Sequence, residues 1–188
     1  MLKKKSLIVI ASPSGGGKST VARFILDKFK MIQFSVSATT RAKRTGERNG
    51  VHYFYLTLEE FESKIKNNEF VEFETFFGNY YGTLKSEIDS AIGSGKILLF
   101  DVDVKGAFSL QKAYPEDTLL IFLAPPSLDT LKERLKKRET ENEEQINIRL
   151  ARAEMEMSEK DKFDFVIVNE ILSDTFLAVE ALIEKLCK

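Results

Sequence analysis

Four short and almost wholly apolar segments predict the strands of a buried sheet. They are residues 7–11, 97–102, 119–124 and 165–168. The first is rich in β-branched side chains and stops at a glycine-rich loop, which is typical of a strand that is covered on both faces. We expect the other three to be buried strands of the same sheet.

Apolar residues with helical spacing lie between or after these strands. Behind the glycine-rich loop they predict a helix over residues 18–30, and similar patterns predict helices over residues 128–137 and 175–186. Strands that alternate with helices pair in parallel through right-handed crossovers. The pattern therefore predicts an α/β fold whose core has three layers, with a parallel sheet between helices.

Two stretches interrupt this alternation. Residues 34–95 are rich in aromatic and turn-forming residues, and we expect them to form a small mixed-β subdomain inserted between two core strands. Residues 132–145 contain ten charged side chains in fourteen positions, basic first and acidic afterwards. The ordinary interpretation of such a stretch is a solvated pair of helices.

Composition and charge narrow the class of protein. The chain has 188 residues, with 28 Lys and Arg against 29 Asp and Glu, and a formal net charge of −1. This near balance argues against bulk nucleic acid or an anionic membrane as the main partner. The only cysteine is Cys187, which excludes an internal disulfide framework. No apolar run approaches the ~18 residues of a membrane span, and the N-terminal run, residues 7–11, is shorter than the roughly 7 to 15 residues of a secretory core, so we expect a cytoplasmic protein.

The segment S-P-S-G-G-G-K-S, residues 12–19, lies between a predicted strand and a predicted helix. That context is the one a phosphate-binding Walker A loop requires, because its backbone amides and the helix N-terminus together favour an anion. The residues expected to hold the triphosphate of ATP are Ser14, Gly15, Gly16, Gly17, Lys18, Ser19 and Thr20. Lys18 would reach the β- and γ-phosphates, and the Ser19 hydroxyl would bind Mg²⁺.

The loop departs from the usual pattern at its first position. Ser12 stands where that pattern has a glycine, and serine tolerates a positive φ poorly. A plain glycine turn is the alternative to a phosphate loop here. The motif indicates a nucleoside triphosphate but does not identify the acceptor.

A second set of motifs is more specific. The segment S-V-S-A-T-T-R-A-K-R-T-G-E, residues 35–47, is followed by N-G-V-H-Y-F-Y at residues 49–55, and the pair resembles the signature of guanylate kinases. The resemblance continues in order and at compatible spacing along nearly the whole chain. It includes F-V-E-F at 70–73, G-N-Y-Y-G-T at 78–83, L-F-D-V-D at 99–103, A-P-P-S at 124–127, I-R-L at 148–150 and V-I-V-N at 166–169.

This resemblance implies a single-domain enzyme over residues 1–188 that transfers the γ-phosphoryl group of ATP to GMP, and also to dGMP, with Mg²⁺. The implied organisation is a P-loop NTPase core, an inserted GMP-binding subdomain and a helical lid. The core would comprise residues 1–33, 96–125 and 163–188, the insertion residues 34–95, and the lid residues 126–162. The implied partners are the small molecules ATP and GMP, without nucleic acid, membrane or an obligate protein partner.

The resemblance also implies roles for individual residues toward GMP. Its phosphate would be held by Arg41, Arg44, Tyr53 and Tyr81, which suits a dianion because guanidinium groups match phosphate oxygens in pairs. Its base would be selected by Glu72, assisted by Ser37, Thr83 and Asp103. One carboxylate can accept both the N1–H and the N2–H₂ of guanine, whereas adenine presents a lone pair at N1. Glu72 lies in the alternating run F-V-E-F, which predicts that it points away from its apolar neighbours.

Catalysis in the family rests on charge stabilisation of the moving phosphoryl group. The implied catalytic residues are Lys18, Arg134, Arg138 and Arg149. Asp101 ends a predicted core strand and would hold Mg²⁺ through water. Two positions depart from the family pattern: Lys43 replaces a proline, and Glu139 replaces a glycine that often follows the second lid arginine. The single histidine, His52, is not needed as a base, because the acceptor phosphate oxygen is already charged.

Two other functions remain open at this point. Guanylate-kinase-like domains also serve as peptide-binding modules, but those typically lose the phosphate loop, which this chain retains in Gly17, Lys18 and Ser19. A kinase for another nucleoside monophosphate is the second alternative. Glu72, Thr83 and Asp103 argue against it.

Overall fold

The computed structural model describes residues 5–76, 78–136 and 143–187. The strands are β1 Leu7–Ala11, β2 Ile32–Phe34, β3 Ala38–Thr39, β4 Phe54–Tyr55, β5 Phe70–Phe76, β6 Asn79–Leu84, β7 Ile97–Asp101, β8 Thr118–Ala124 and β9 Phe165–Val168. The helices are α1 Lys18–Lys28, α2 Leu58–Lys66, α3 Lys85–Gly93, α4 Val104–Ala113, α5 Leu128–Lys136, α6 Glu143–Ser158 and α7 Leu172–Cys187, and a 3₁₀ turn covers Lys160–Lys162. The predicted strands and helices are therefore present, with ends that differ by a few residues.

Five strands form a parallel sheet in the order β2-β7-β1-β8-β9. Strand β1 is central, and its Ile8 is paired with Leu99 on one side and Leu119 on the other. Two apolar clusters cover the two faces of this sheet. Helices α1 and α7 pack on one face, around Ile25 and Ile183, and helices α3 and α4 pack on the other. The predicted three-layer α/β core is thus confirmed.

The core sheet differs from the prediction at both of its edges. Strand β2 was not predicted, because its three residues are too few to show a period, and the boundary expected between residues 33 and 34 falls inside it. Strand β9 was expected to be buried, but Val166 and Val168 are 42% and 55% exposed. Among the described strands it pairs only with β8, so it is an edge strand, and the face that carries Val166 and Val168 is exposed.

A second sheet of four strands has the order β4-β3-β6-β5. Strands β3 and β4 are parallel, whereas β6 is antiparallel to both β3 and β5. This confirms the prediction of a mixed sheet in the aromatic-rich region. Phe61 of α2 is fully buried against it and stacks on Phe70 and Tyr80.

Helices α5 and α6 carry the charged stretch and pack on each other. Leu131 and Leu135 of α5 form a small buried cluster with Ile146 and Ala153 of α6. A Cβ atom on Gly15 would lie 3.1 Å from the Leu131 side chain, so this helix pair packs directly against the glycine-rich loop. Within the described residues, no helix combines the length and apolar character that crossing a bilayer requires.

Candidate active site

The glycine-rich loop leaves the carboxyl end of β1 and turns into α1. Gly15 and Gly17 have φ values of 92° and 94°, which favour glycine, and Gly17 caps the helix without a side-chain hydrogen bond. The first amides of α1 are thus free of a side-chain acceptor at the cap, as an anion site requires. The strain considered for Ser12 does not arise, because Asn68 is the only non-glycine residue with positive φ in the described ranges.

Asn169 supports the loop from the far end of the chain. Its Nδ2 donates a hydrogen bond of 2.8 Å to the Gly16 carbonyl, and its Oδ1 accepts one from the Thr175 hydroxyl. A Cβ atom on Gly17 would lie 2.3 Å from Asn169 Nδ2, so glycine at this position is required for the contact. Sequence analysis did not single out this residue, although its place directly after β9 was a usable signal.

Lys18 and Ser19 converge on Asp101 at the end of β7. Lys18 Nζ lies 2.8 Å from Asp101 Oδ1 and donates a second bond of 2.8 Å to the Val102 carbonyl. The Ser19 hydroxyl donates to Asp101 Oδ2 at 3.1 Å. A hydroxyl and a carboxylate side by side are hard oxygen donors of the kind Mg²⁺ prefers, so these residues fit the ion that the sequence implied.

One of the expected lid arginines, Arg149, contacts this loop, and a second, Arg134, contacts Asn169, which supports the loop. Arg149 Nη1 of α6 donates to the Ser14 hydroxyl at 2.5 Å. Arg134 Nη2 of α5 donates at 2.8 Å to the Asn169 carbonyl. Arg138 and Glu139 lie outside the described residues. A cavity of about 540 Å³, here called the phosphate-loop cavity, is lined by the loop and by Arg149.

A second cavity of about 360 Å³, here called the Glu72 cavity, opens beside the first. The predicted residues that line it are Ser37, Tyr53, Glu72, Tyr81 and Asp103. Thr83 is buried behind them, and its hydroxyl donates to Glu72 Oε1 at 2.6 Å. Burial raises the pKa of the Glu72 carboxyl, and Glu74 and Asp103 add to this, while the Thr83 bond opposes it.

A β-bulge places Glu72 in this cavity. Phe70 pairs with Leu84 but Glu72 pairs with Thr83, so the register of β5 shifts between them. As a result Phe70 and Phe73 both contact Phe61, although they are three positions apart along the strand. Simple alternation would have placed Phe70 on the same face as Glu72. The bulge instead separates the carboxylate from both phenylalanines.

Arg41 is held beside the cavity by Glu47. Glu47 Oε1 accepts a bond of 2.8 Å from Arg41 Nη2, and Oε2 accepts from the Arg44 backbone N–H and the Tyr55 hydroxyl. These three donors, the Arg41 guanidinium first, lower the pKa of Glu47 to about 2. The Arg41 guanidinium also lies 5.4 Å from the Tyr53 ring centre. Glu47 was not predicted as a site residue, although it closes the R-A-K-R-T-G-E motif.

Arg44 and His52 are less involved than Arg41. The Arg44 side chain is exposed, and neither Arg41 nor Arg44 is among the described residues that line the Glu72 cavity. His52 is exposed and its Nδ1 accepts a bond from the Arg48 backbone N–H, which is a structural role.

The two cavities share part of their lining, namely Lys18, Asp101, Asp103 and Arg152. The two cavities therefore adjoin each other along these four residues.

The comparison with protein families fits this pair of cavities. A family model described as guanylate kinase matches residues 4–186. The chain belongs to the guanylate kinase family. The matched range covers both sheets and helices α5 and α6, so the resemblance found in the motifs is confirmed over almost the full length.

Individual relatives of the guanylate kinase family agree. Guanylate kinases of Chlorobium luteolum and Chlorobaculum tepidum are 53% and 50% identical to this chain, over 94% and 95% of it and 88% and 92% of their own lengths. A crystal structure of guanylate kinase from Anaplasma phagocytophilum is similar with a TM-score of 0.71 at 32% identity, covering 97% of this chain and 86% of that one. The protein is therefore an enzyme of the kinase class on a P-loop NTPase fold.

Family membership does not by itself assign the single side chains. The structure brings Glu72, Thr83, Asp103, Ser37, Tyr53 and Tyr81 to one place and Ser14 to Thr20 to another. It adds Asn169, Glu47 and Arg152, which sequence analysis missed. Each of these assignments remains a prediction that variants can test.

Proposed function

We propose that this protein phosphorylates GMP, with the base in the Glu72 cavity and the triphosphate of ATP in the phosphate-loop cavity. The reaction, transfer of the γ-phosphoryl group of ATP to GMP, is that of the guanylate kinase family to which the chain belongs. The use of dGMP as a second acceptor is part of the proposal.

The half-buried carboxylate of Glu72 carries the assignment of the base. Its Oε1 accepts from Thr83 within the cavity, and the lone pairs that remain on the two oxygens can accept from both N1–H and N2–H₂ of guanine. Adenine would turn a lone pair toward this carboxylate and leave it unpaired, and sites of this kind discriminate by orders of magnitude. Asp103 carries a second carboxylate in the same lining.

The acceptor phosphate would lie near Tyr53 and Tyr81, on the side of the cavity where Arg41 is held. The edge contact between the two tyrosine rings and the Glu47 network keep these groups in place before the substrate binds. Such preorganisation matters because the reaction needs positioning and charge stabilisation rather than a general base.

The donor phosphates would accept bonds from the loop amides and from Lys18. Lys18 is paired with Asp101, and it can exchange that partner for a phosphate oxygen. Arg149 and Arg134 lie above and beside the loop, where their charges would stabilise the transferring group. Ser19, and Asp101 through water, would hold Mg²⁺, which would supply positive charge to offset that of the phosphate oxygens.

We further propose that the protein works in the cytoplasm on these small molecules, without nucleic acid, a membrane or an obligate protein partner. The near-neutral charge, and two adjoining cavities of about 540 and 360 Å³ that suit small molecules, support this proposal.

The decisive assay is ADP release from Mg·ATP with each of GMP, dGMP, AMP, UMP, CMP and dTMP. We expect strong turnover with GMP, weaker turnover with dGMP and background rates with the rest, because Glu72 accepts only from a base with adjacent donors. Turnover with another monophosphate in place of GMP would overturn the assignment of the base. Silence with every acceptor, in a folded protein that binds ATP, would instead favour a binding module.

The pKa of Glu72 predicts a pH dependence of acceptor binding. Because burial raises this pKa, Glu72 becomes protonated at a higher pH than an exposed glutamate does. A protonated carboxyl cannot accept both donors of guanine, so the KM for GMP should rise as the pH falls through the raised pKa. Bound GMP should in turn lower that pKa, because the two equilibria are linked.

The measurement is the KM for GMP between about pH 5 and pH 8, with the KM for ATP followed in parallel. Glu72→Gln serves as the control, since it has no proton to gain. The prediction fails if the wild-type protein and this variant show the same acid limb.

A further inference from the structure

Arg152 of α6 is the basis of this inference. Its Nη2 lies 2.7 Å from Asp103 Oδ2 and its Nε donates a bond of 2.8 Å to Glu156 on the same helix. The Arg152 side chain lines both cavities. It is thus a cation of the charged helix pair that is paired to a carboxylate of the core.

Asp103 is a firm anchor for this contact. It is the N-cap of α4, and its Oδ1 accepts from the Gly106 backbone N–H at 2.8 Å. Only Oδ2 is therefore directed at Arg152. The carboxylate is fixed by the cap bond, so the arginine that pairs with it is located relative to the core sheet.

Arg149 and Arg152 are neighbours along one side of α6, because residues three apart lie one turn from each other. The first contacts Ser14 of the phosphate loop and the second contacts Asp103 beside the Glu72 cavity. The helix is therefore attached to the core at one point in each cavity. Loss of the second attachment would leave the position of Arg149 less well defined.

We propose that Arg152 is a positioning residue that latches α6 to Asp103 and thereby holds Arg149 over the phosphate loop. This inference rests on the proposed function, since Asp103 is also assigned to the acceptor base. Through this latch, the position of Arg149 at the donor site depends on the Asp103 carboxylate at the acceptor site. Arg152 itself need not touch either substrate.

The test is steady-state kinetics of Arg152→Met with ATP and GMP. We expect kcat to fall about tenfold, because Arg149 is no longer held in place, while the KM for GMP stays within about twofold. Arg152→Lys should restore part of kcat, since it keeps a cation near Asp103. Arg23→Met, an exposed arginine of α1, is the matched control and should leave kcat unchanged.

A thermal melt accompanies each variant. Because Arg152 is 58% exposed, we expect the melting temperature of Arg152→Met to stay close to that of the wild type. An unchanged kcat in Arg152→Met would overturn the latch. The latch would also be overturned if kcat and the melting temperature of Arg152→Met fall together and Arg152→Lys restores none of the lost kcat.

A double-mutant cycle with Asp103→Asn separates the latch from independent roles. If Arg152 acts through Asp103, the kcat of the double variant should equal, within about twofold, that of the single variant with the lower kcat. If the fold reductions in kcat of the two single variants instead multiply in the double variant, the inference is overturned. An unchanged KM for GMP in Asp103→Asn would show that Asp103 does not belong to the proposed base site. The comparison of kcat among the wild type, the two single variants and the double variant would still test the latch.

Discussion

Replacing Lys18 by alanine should lower kcat about 10³-fold, the effect of losing a preorganised cation at the reacting group. Lys18 stands at the start of α1, and its ammonium lies at the wall that the two cavities share. No other cation of the loop segment 12–20 can replace it there. Transfer should fail even when both substrates are bound.

Binding of GMP should survive this change, because the acceptor groups belong to the other sheet and to Asp103. The measurement pairs ADP release with calorimetric titration of GMP. Lys28→Ala is the matched control, since Lys28 ends the same helix and pairs with Glu180 away from the site. Near-normal turnover by Lys18→Ala would show that the phosphate-loop assignment is wrong.

The second large effect is expected at Glu72. Glu72→Gln should weaken GMP by about 2 to 3 kcal/mol, or roughly 30- to 150-fold in KM, because a charge-assisted acceptor is lost in a buried place. The new amide can still accept from Thr83, so the variant should fold. Its NH₂ group would however face the donors of guanine.

The measurement is the KM and kcat for GMP, with AMP as the competing acceptor. Glu62→Gln on the exposed face of α2 is a control of the same chemistry away from both cavities. We expect it to behave as the wild type. If Glu72→Gln leaves KM and kcat for GMP unchanged, base recognition must lie elsewhere in the cavity.

The two residues differ in how far the sequence could place them. Lys18 belongs to a contiguous segment whose strand, glycines and helix start are all visible in the chain, so its location was predictable. Glu72 was found through the family resemblance, and simple alternation would have placed Phe70 on the same face of the strand as Glu72. The bulge after Phe70 depends on how β5 pairs with β6, and the residues next to Phe70 in the sequence do not specify that pairing.

The same distinction runs through the whole protein. The sequence by itself determined the four longer strands of the core sheet, the phosphate loop and the family, because these depend on local backbone preference and contiguous motifs. Only the tertiary structure revealed that β9 is an exposed edge, that Asn169 bonds to Gly16 across 153 positions, and that Arg152 meets Asp103 across 49. Such contacts depend on strand order and helix packing. They join side chains that are far apart in the sequence, and no periodic pattern of residues marks them.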